Sequence, residues 1–274
     1  MKSHQEISGI DILREYMPEI TNAKPILLIV GSTGIVLVLT HFINMIAWWT
    51  PLVLAIAASV LTYWTMSRIS KNAEKIQKNY REKYKNRAYA KFFYHYVIPS
   101  IPPNMVPIFL IIMLESNELL PMVYPSYGNN ILYQAILPWP LMIPVGIFLI
   151  GIYPFMSRDA VNGGFSIDTE LFLYIIYPEK AKKLQGGVYQ YIRHPHYAEG
   201  IYLCFGFALL SQNLIALIIA FMFLTTYYGI ARSEDKELVR RYGAPFEKYV
   251  NSTPCFVPKL TDVNRFLKLV FLGR

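Results

Sequence analysis

The chain has 274 residues, of which 54% are hydrophobic and only 16% are charged, against about a quarter charged in an ordinary soluble domain. The apolar residues form long blocks, which excludes a soluble globular enzyme and predicts an integral, multi-pass membrane protein. The net charge of +8 comes from basic residues that flank these blocks, so we assign it to membrane orientation and not to nucleic-acid binding.

The N-terminal part of the chain combines one polar segment with two apolar spans. Residues 1–24 are polar and contain four acidic residues, which argues against a cleavable signal peptide. Their apolar members are spaced for a short amphipathic helix on the membrane surface. Residues 25–49 are long enough to cross a hydrocarbon core of about 30 Å, and residues 51–67 follow so closely that the two spans are predicted to form a hairpin.

The middle of the chain shows the charge asymmetry of a membrane protein. Residues 68–91 carry nine lysines and arginines against two glutamates, which predicts a basic cytoplasmic loop over residues 68–96. Its position beside the membrane favours anionic lipid headgroups as its partners. A proline-rich apolar segment at 97–114, an outer loop at 115–130 without lysine or arginine, and a further span at 131–156 complete this part.

The C-terminal part contains a polar segment and a second predicted hairpin. Residues 157–192 are polar and return the chain to the cytoplasmic side. Residues 199–228 are apolar except at 211–213 and have basic residues on both sides, so an even number of crossings is predicted, with the turn at 211–213. Each arm is shorter than the roughly 20 residues of a full crossing. A charged helix over residues 232–242 then leaves the membrane and stops at Gly243.

Residues 187–200, which read G-V-Y-Q-Y-I-R-H-P-H-Y-A-E-G, are the most unusual stretch of the chain. Pro195 biases His194 away from helical angles and suits the first turn of a helix, so we expect an extended polar entry into a membrane helix. If the second hairpin forms, residues 193–197 and 232–235 meet in one pocket of opposite charges. Such a pocket suits a zwitterionic or cationic cofactor. A network of structural ion pairs is the alternative, and the residues alone do not decide between them.

Two separated motifs resemble those of a known superfamily. The R-H-P-x-Y of residues 193–197, with the G-V-Y before it, resembles the isoprenylcysteine carboxyl methyltransferase and phospholipid methyltransferase superfamily. So do the R-x-E-[DE]-x-x-L of residues 232–238, the Y-G-x-x-[FY]-x-x-Y of residues 242–249 and the V-P at 257–258. The resemblance covers residues 184–260, whereas the first four apolar segments match the superfamily only in being multiple spans.

The resemblance implies methyl transfer from S-adenosylmethionine, bound without a nucleotide-binding sheet at the cytoplasmic end of the last helices. It implies that backbone around residues 181–184 wraps the cofactor, that Tyr189 packs on it, and that Glu234 meets its ammonium while Arg193 and His194 meet its carboxylate. The implied cofactor-binding residues are Ala181, Lys182, Lys183, Leu184, Tyr189, Arg193, His194, Pro195, His196, Tyr197 and Glu234. No catalytic base is assigned and no metal is expected.

The acceptor is less well specified than the cofactor. Lys182 stands in a segment where isoprenylcysteine enzymes have an uncharged, His-containing stretch, and Ile230 stands where they carry a substrate-contacting arginine. Both departures argue against a prenylcysteine carboxylate. Glu199, a carboxylate at the start of a membrane helix, is assigned with Arg232 to the acceptor, and stabilisation by the helix dipole is the alternative for Glu199. A phospholipid amine is favoured, with a prenylated thiol or carboxylate as runner-up.

Two other classes of function remain open. Membrane sterol reductases share a similar R-H-x-x-Y and D-E-x-x-x-x-x-Y-G pattern but use NADPH, and they usually have tryptophan where this chain has Phe246. A degenerate superfamily member could serve as a lipid-binding scaffold, although Arg193 and Glu234 are intact.

The predicted fold class is all-α: a polytopic membrane helical bundle with a C-terminal membrane hairpin and a cytoplasmic cofactor-binding segment. The expected partners are the bilayer and a lipid or lipidated substrate, with the active site at the cytoplasmic face. The predicted division of the chain is an amphipathic segment at 1–24, membrane helices at 25–156, a methyltransferase core at 157–260 and a tail at 261–274.

Overall fold

The computed structural model describes residue 17 and residues 23–114, 139–162, 172–180, 186–211 and 213–273. Every regular element in these ranges is helical, which confirms the predicted all-α bundle. The predicted amphipathic helix at 1–24 lies almost wholly outside the described residues. The α-helices are α1 (Ala23–Asn44), α2 (Thr50–Lys71), α3 (Ala73–Tyr84), α4 (Ala88–Phe92), α5 (Ile98–Met113), α6 (Trp139–Asn162), α7 (Leu173–Ile176), α8 (Pro195–Ser211), α9 (Leu214–Tyr242), α10 (Ala244–Ser252) and α11 (Val263–Leu272).

Four described helical segments are long and apolar enough to cross a membrane. They are Leu27–Asn44 within α1, the whole of α2, the run Ala73–Met113 and α9. A shorter apolar stretch, Pro140–Met156, lies in α6. The polytopic character expected from the composition is therefore confirmed.

A tight turn joins α1 to α2, as the sequence predicts. Thr50 closes this turn by donating its hydroxyl to the carbonyl of Asn44 at 3.1 Å, and Pro51 occupies the first turn of α2, where a missing N–H costs nothing. Both helices pack against α5, α2 packs also and more extensively against α9, and the two pack only weakly against each other. The first hairpin is thus held together by a third helix.

The basic segment predicted as a loop over residues 68–96 is helical instead. After α2 ends at Lys71, α3 and α4 follow almost without a break, separated by the 3-10 turn Lys85–Arg87. A π-helical turn, Phe93–Val97, then leads directly into α5. The interpretation as a loop was therefore wrong in its local structure, while the side of the membrane on which the segment lies remains a prediction.

Residues 68–96 are helical because an apolar stripe runs among their many charged residues. Ile69, Ala73 and Ile76 recur at helical spacing and are buried. They pack in one cluster with Tyr89 and Phe92 from α4. This cluster is separate from the larger core between α6, α8 and α9, so the basic segment folds around its own apolar centre.

The second predicted hairpin is confirmed. Helix α8 ends at Ser211 and α9 begins at Leu214, where the side chain of Asn213 accepts a hydrogen bond from the amide of Ala216 at 2.8 Å. With 17 residues, α8 is still shorter than a full crossing of about 20 residues, whereas the 29 residues of α9 extend well beyond the apolar segment. Gly243 ends α9 as predicted and has a φ of 68°, which favours glycine.

Helices α6 and α8 make the closest helix pair of the described bundle, and glycine permits their approach. A Cβ atom on Gly206 would lie 2.6 Å from Cγ1 of Ile150 and 3.0 Å from the carbonyl oxygen of Gly146. Small residues allow membrane helices to pack backbone to backbone in this way. The contact fixes α8, and therefore the polar segment that precedes it.

Replacing Gly206 with valine is expected to lower the free energy of unfolding by about 1–3 kcal/mol, because the side chain would overlap a facing helix. Gly151→Val is the matched control, since a Cβ at Gly151 in α6 meets nothing within 4 Å. Thermal unfolding of the detergent-purified full chain measures both. Equal melting temperatures for the two variants would contradict the close approach of α6 and α8.

Candidate functional site

The start of α8 and the charged end of α9 meet, as the second hairpin predicts. Nε2 of His194 lies 2.9 Å from Oδ1 of Asp235, and Nη2 of Arg193 donates to Oδ2 of the same carboxylate at 3.0 Å. The hydroxyl of Tyr197 donates to Oε2 of Glu234 at 2.9 Å. Residues separated by about forty positions in the chain therefore form one polar cluster.

Arg193 connects this cluster to the last turn of α10 and the residue that follows it. Besides its ion pair with Asp235, its Nη1 donates to the carbonyl oxygen of Val250 at 2.8 Å and to that of Thr253. The side chains of Arg193 and Asp235 are only 13% and 8% exposed. Because backbone carbonyls and a buried carboxylate engage both terminal nitrogens, the geometry of Arg193 is that of a structural ion pair.

The backbone strengthens the same connection. The amide of Arg193 donates to the carbonyl oxygen of Pro254 at 2.8 Å, and the amide of His194 donates to that of Cys255 at 3.1 Å. Burial raises the pKa of the Cys255 thiol to about 12, so the thiol stays neutral at physiological pH. Residues 254–255 therefore lie alongside the motif and hold the backbone of Arg193 and His194 in place.

Glu234 has different surroundings from Asp235. Two phenol hydroxyls donate to its carboxylate, Tyr197 at 2.9 Å and Tyr174 at 3.2 Å, and Nδ1 of His194 lies 3.6 Å away. The ring of His194 stacks on that of Tyr197 with centroids 5.4 Å apart. Burial, followed by the charge of Glu234, raises the pKa of Tyr174 well above its usual range, so this phenol remains a donor.

The two neighbouring carboxylates therefore have separate roles. Successive residues of an α-helix point about 100° apart, which directs Asp235 towards Arg193 and Glu234 towards the two tyrosines. Among the described residues, no lysine or arginine forms an ion pair with Glu234. The carboxylate of Glu234 thus has no lysine or arginine partner among the described residues, whereas the charge of Asp235 is neutralised by Arg193.

The other residues implied to bind the cofactor lie close to this cluster in the chain. Pro195 is the first residue of α8, and Tyr189 is buried in the 3-10 turn Gly187–Gln190, where its carbonyl accepts from the hydroxyl of Tyr249 at 2.7 Å. Residues 181–184 lie outside the described residues. Helix α7, which carries Tyr174, ends shortly before them.

The residues assigned to the acceptor lie apart from Glu234. Glu199 is 3% exposed in α8, and its Oε2 lies 3.6 Å from Nδ1 of the exposed His196. Arg232 is exposed, with its guanidinium carbon 5.8 Å from the ring centroid of Tyr228. Ile230 is buried in the apolar cluster around α3 and α4, so apolar packing occupies the position where the resembled enzymes carry an arginine.

Sequence reasoning missed three residues of the site. The sequence contains an indication of Asp235, since this residue occupies the [DE] position of the second motif directly beside Glu234. Tyr249 also lies within a quoted motif, but its partner is a carbonyl that no side-chain pattern reveals. Tyr174 had no signal, because it reaches Glu234 only through the path of the chain between α6 and α8.

The fold and this cluster define a class of protein: a polytopic helical membrane protein whose last hairpin carries a polar site at the charged end of α9. Residues 142–245 match the family model described as phospholipid methyltransferase. That family belongs to the superfamily of integral membrane methyltransferases that also contains the isoprenylcysteine carboxyl methyltransferases, so the match confirms the resemblance that the motifs indicate. Comparisons with curated proteins and with solved structures found no match.

The matched region runs from α6 to the start of α10 and includes Tyr174, His194 and Glu234. It therefore includes residues 142–156 of the fourth apolar segment, which corrects the expectation that the first four segments share nothing more specific with the superfamily than being spans. Tyr249 and the carbonyls that bind Arg193 lie beyond the match.

Arg193→Ala is expected to destabilise the fold by about 3–5 kcal/mol, because it leaves the buried Asp235 carboxylate without its cation. Arg193→Lys should restore little of this loss, since one ammonium cannot reproduce a planar guanidinium that binds a carboxylate and two carbonyls. Thermal unfolding, with limited proteolysis after α10, measures the effect. Arg265→Ala is the control, because Arg265 is exposed and lies 4.0 Å from Asp262. A lysine variant as stable as the wild type would contradict the structural role.

Proposed function

We propose that this protein is an S-adenosylmethionine-dependent methyltransferase that acts within the membrane on a lipid or lipid-linked acceptor, with a phospholipid amine as the favoured acceptor. The single observation that carries the proposal is the environment of Glu234. Its carboxylate is oriented by two phenols, lies beside the R-H-P-x-Y segment and makes no ion pair with a lysine or arginine of the described residues. The phospholipid methyltransferase domain at 142–245 supports the same chemistry.

The donor set fits the cationic part of the cofactor. Glu234 would bind the ammonium group, and Tyr174 and Tyr197 would hold the carboxylate in place for it. Residues 181–184 would wrap the cofactor, because α7 ends just before them and places Tyr174 on Glu234.

Arg193 and His194 have a different role from the one that the resemblance implies. Both terminal nitrogens of Arg193 and both ring nitrogens of His194 face Asp235, Glu234 or backbone carbonyls, so we assign both residues to positioning. The carboxylate of the cofactor is then assigned to the ammonium groups of Lys182 and Lys183, which the sequence places in the wrapping segment.

The remaining task of the protein is to align the acceptor and exclude water. Bound S-adenosylmethionine supplies an activated methyl group, so the chain needs no metal or nucleophile for the transfer and contributes mainly orientation. Glu199, buried in the second turn of α8, would pair with the cationic headgroup of an amine acceptor. The apolar surroundings of Ile230 make a carboxylate acceptor the less favoured alternative.

Glu234→Gln is expected to weaken the binding of S-adenosylhomocysteine about tenfold to a hundredfold, because a hydrogen bond to a charged partner contributes about 1.5–3 kcal/mol. Titration calorimetry of the detergent-purified full chain measures this affinity. Glu247→Gln is the matched control, since it removes the same charge from an exposed position of α10.

The same titrations with NADPH separate the three classes of function. Binding of S-adenosylhomocysteine that is weakened only in Glu234→Gln supports the methyltransferase. Binding of NADPH alone would contradict the methyltransferase and favour a reductase. Binding of neither ligand would favour the lipid-binding scaffold.

Glu199→Gln is expected to raise the KM for an amine-containing phospholipid about tenfold while leaving the affinity for S-adenosylhomocysteine unchanged, because it removes only the proposed partner of the acceptor's ammonium. Transfer of a labelled methyl group to phosphatidylethanolamine in nanodiscs measures the KM. An unchanged KM and kcat, with a lowered melting temperature only, would assign Glu199 to stabilisation of α8 by the helix dipole.

A further inference from the structure

A second polar site lies between α2 and α9, outside the Glu234 cluster. A groove between these helices has a cavity volume of about 580 Å³, which is within the range of small-molecule sites. Its α2 wall lies outside the matched residues 142–245. The lining residues used below are Val60, Tyr63, Trp64, Ser67, Arg68, Lys71 and Thr225.

Helices α2 and α3 run parallel to α9, and this sets the depth of each residue in the groove. Tyr63 packs on Gly229, where an added Cβ would lie 2.8 Å from its ring, and Glu74 pairs with Arg240 at 3.5 Å. In both pairs, the residue of α9 follows its partner by the same number of positions in the chain. Arg68 therefore lies between these two levels, beside the charged end of α9.

The groove is apolar at one end and cationic at the other. Val60 and Trp64 are exposed towards the membrane side, whereas Arg68 and Lys71 form the polar end, and the lining contains no aspartate or glutamate. The guanidinium of Arg68 lies 5.0 Å over the ring of Trp64. Neither cation forms an ion pair within the described part of the chain. An occupant of this end should therefore be anionic.

A buried hydroxyl independently indicates a ligand. Ser67 is only 4% exposed, lines the groove beside Arg68, and its Oγ has no hydrogen-bond partner among the described residues. A buried hydroxyl without a partner is costly, so a carbonyl supplied from outside the protein would stabilise it. The ester carbonyl of a glycerolipid lies just below its phosphate, which matches the order of Ser67 and Arg68 along α2.

The length of the groove also fits one lipid. Its α2 wall runs from Ser59 to Asn72, about 20 Å of helix, which accommodates the headgroup and chains of one leaflet of a bilayer whose hydrocarbon core is about 30 Å thick. We propose that this groove binds one anionic phospholipid, with its phosphate at Arg68 and Lys71, an ester carbonyl at Ser67 and an acyl chain along Val60 and Trp64.

This site is distinct from the proposed cofactor site. Thr225 and Thr226 line the groove from α9, whereas neither Glu234 nor the residues that contact it, Tyr174 and Tyr197, line the groove. A lipid in the groove would therefore contact α9 outside the carboxylate cluster. The proposal does not depend on the methyltransferase activity.

The double variant Arg68→Gln/Lys71→Gln is expected to bind phosphatidylglycerol about thirtyfold more weakly, because each basic residue near an anionic headgroup contributes about fivefold. Native mass spectrometry of the detergent-purified full chain, titrated with phosphatidylglycerol, measures the affinity. Lys78→Gln/Lys83→Gln is the matched control with the same charge change on exposed positions of α3, about 10 Å or more of helix beyond Lys71. Its affinity should change by less than about twofold, since charges more than about 8 Å away are screened.

Quenching by a brominated phosphatidylglycerol locates the lipid. The brominated lipid should quench the emission of Trp64, which is identified as the part of the tryptophan fluorescence that the Trp64→Phe variant lacks. This quenching should be lost in Arg68→Gln/Lys71→Gln. Three results would overturn the proposal: equal losses in the two double variants, equal affinity for phosphatidylcholine, or no quenching of Trp64. S-adenosylhomocysteine should bind both double variants as it binds the wild type, so failure of this site is distinguishable from failure of the proposed function.

Discussion

The ion pair between Arg193 and Asp235 is the constraint on which the rest of the site depends. It joins the segment before α8, the charged end of α9 and, through two carbonyls, the last turn of α10 and the residue that follows it. Both side chains are nearly buried, so neither charge could remain there without the other. The pair therefore forms only when the C-terminal hairpin closes, and its formation places His194 and Tyr197 next to Glu234.

Two adjacent residues of α9 have different roles: Asp235 stabilises the fold, and Glu234 is the proposed ligand-binding carboxylate. The carboxylate of Asp235 pairs with Arg193 inside the protein. The carboxylate of Glu234 accepts hydrogen bonds from two phenols and pairs with no lysine or arginine among the described residues. The ion-pair network, one of the two alternatives that the sequence presents, is therefore present around Asp235. It holds Glu234 in place, and in the proposed function Glu234 supplies the counter-charge to the cofactor.

Helix α9 is shared by both proposed sites. One of its faces carries Glu234, and another face borders the groove in which Arg68 and Lys71 supply positive charge. The Tyr63–Gly229 contact and the Glu74–Arg240 pair fix α2 and α3 against this second face. Helix α2, which lies outside the residues that match the family model, therefore packs directly on α9.

The sequence by itself determined the membrane class, both tight helix connections, the end of α9 at Gly243 and the meeting of residues 193–197 with 232–235, because span length, charge asymmetry and glycine conformation are local properties. It misjudged residues 68–96, where charges hid the stripe of Ile69, Ala73 and Ile76. Only the tertiary structure decided that Arg193 binds carbonyls, that Tyr174 reaches Glu234 and that a groove opens beside Arg68. Each of these depends on backbone atoms or side chains far apart in the chain, whose distances no sequence pattern encodes.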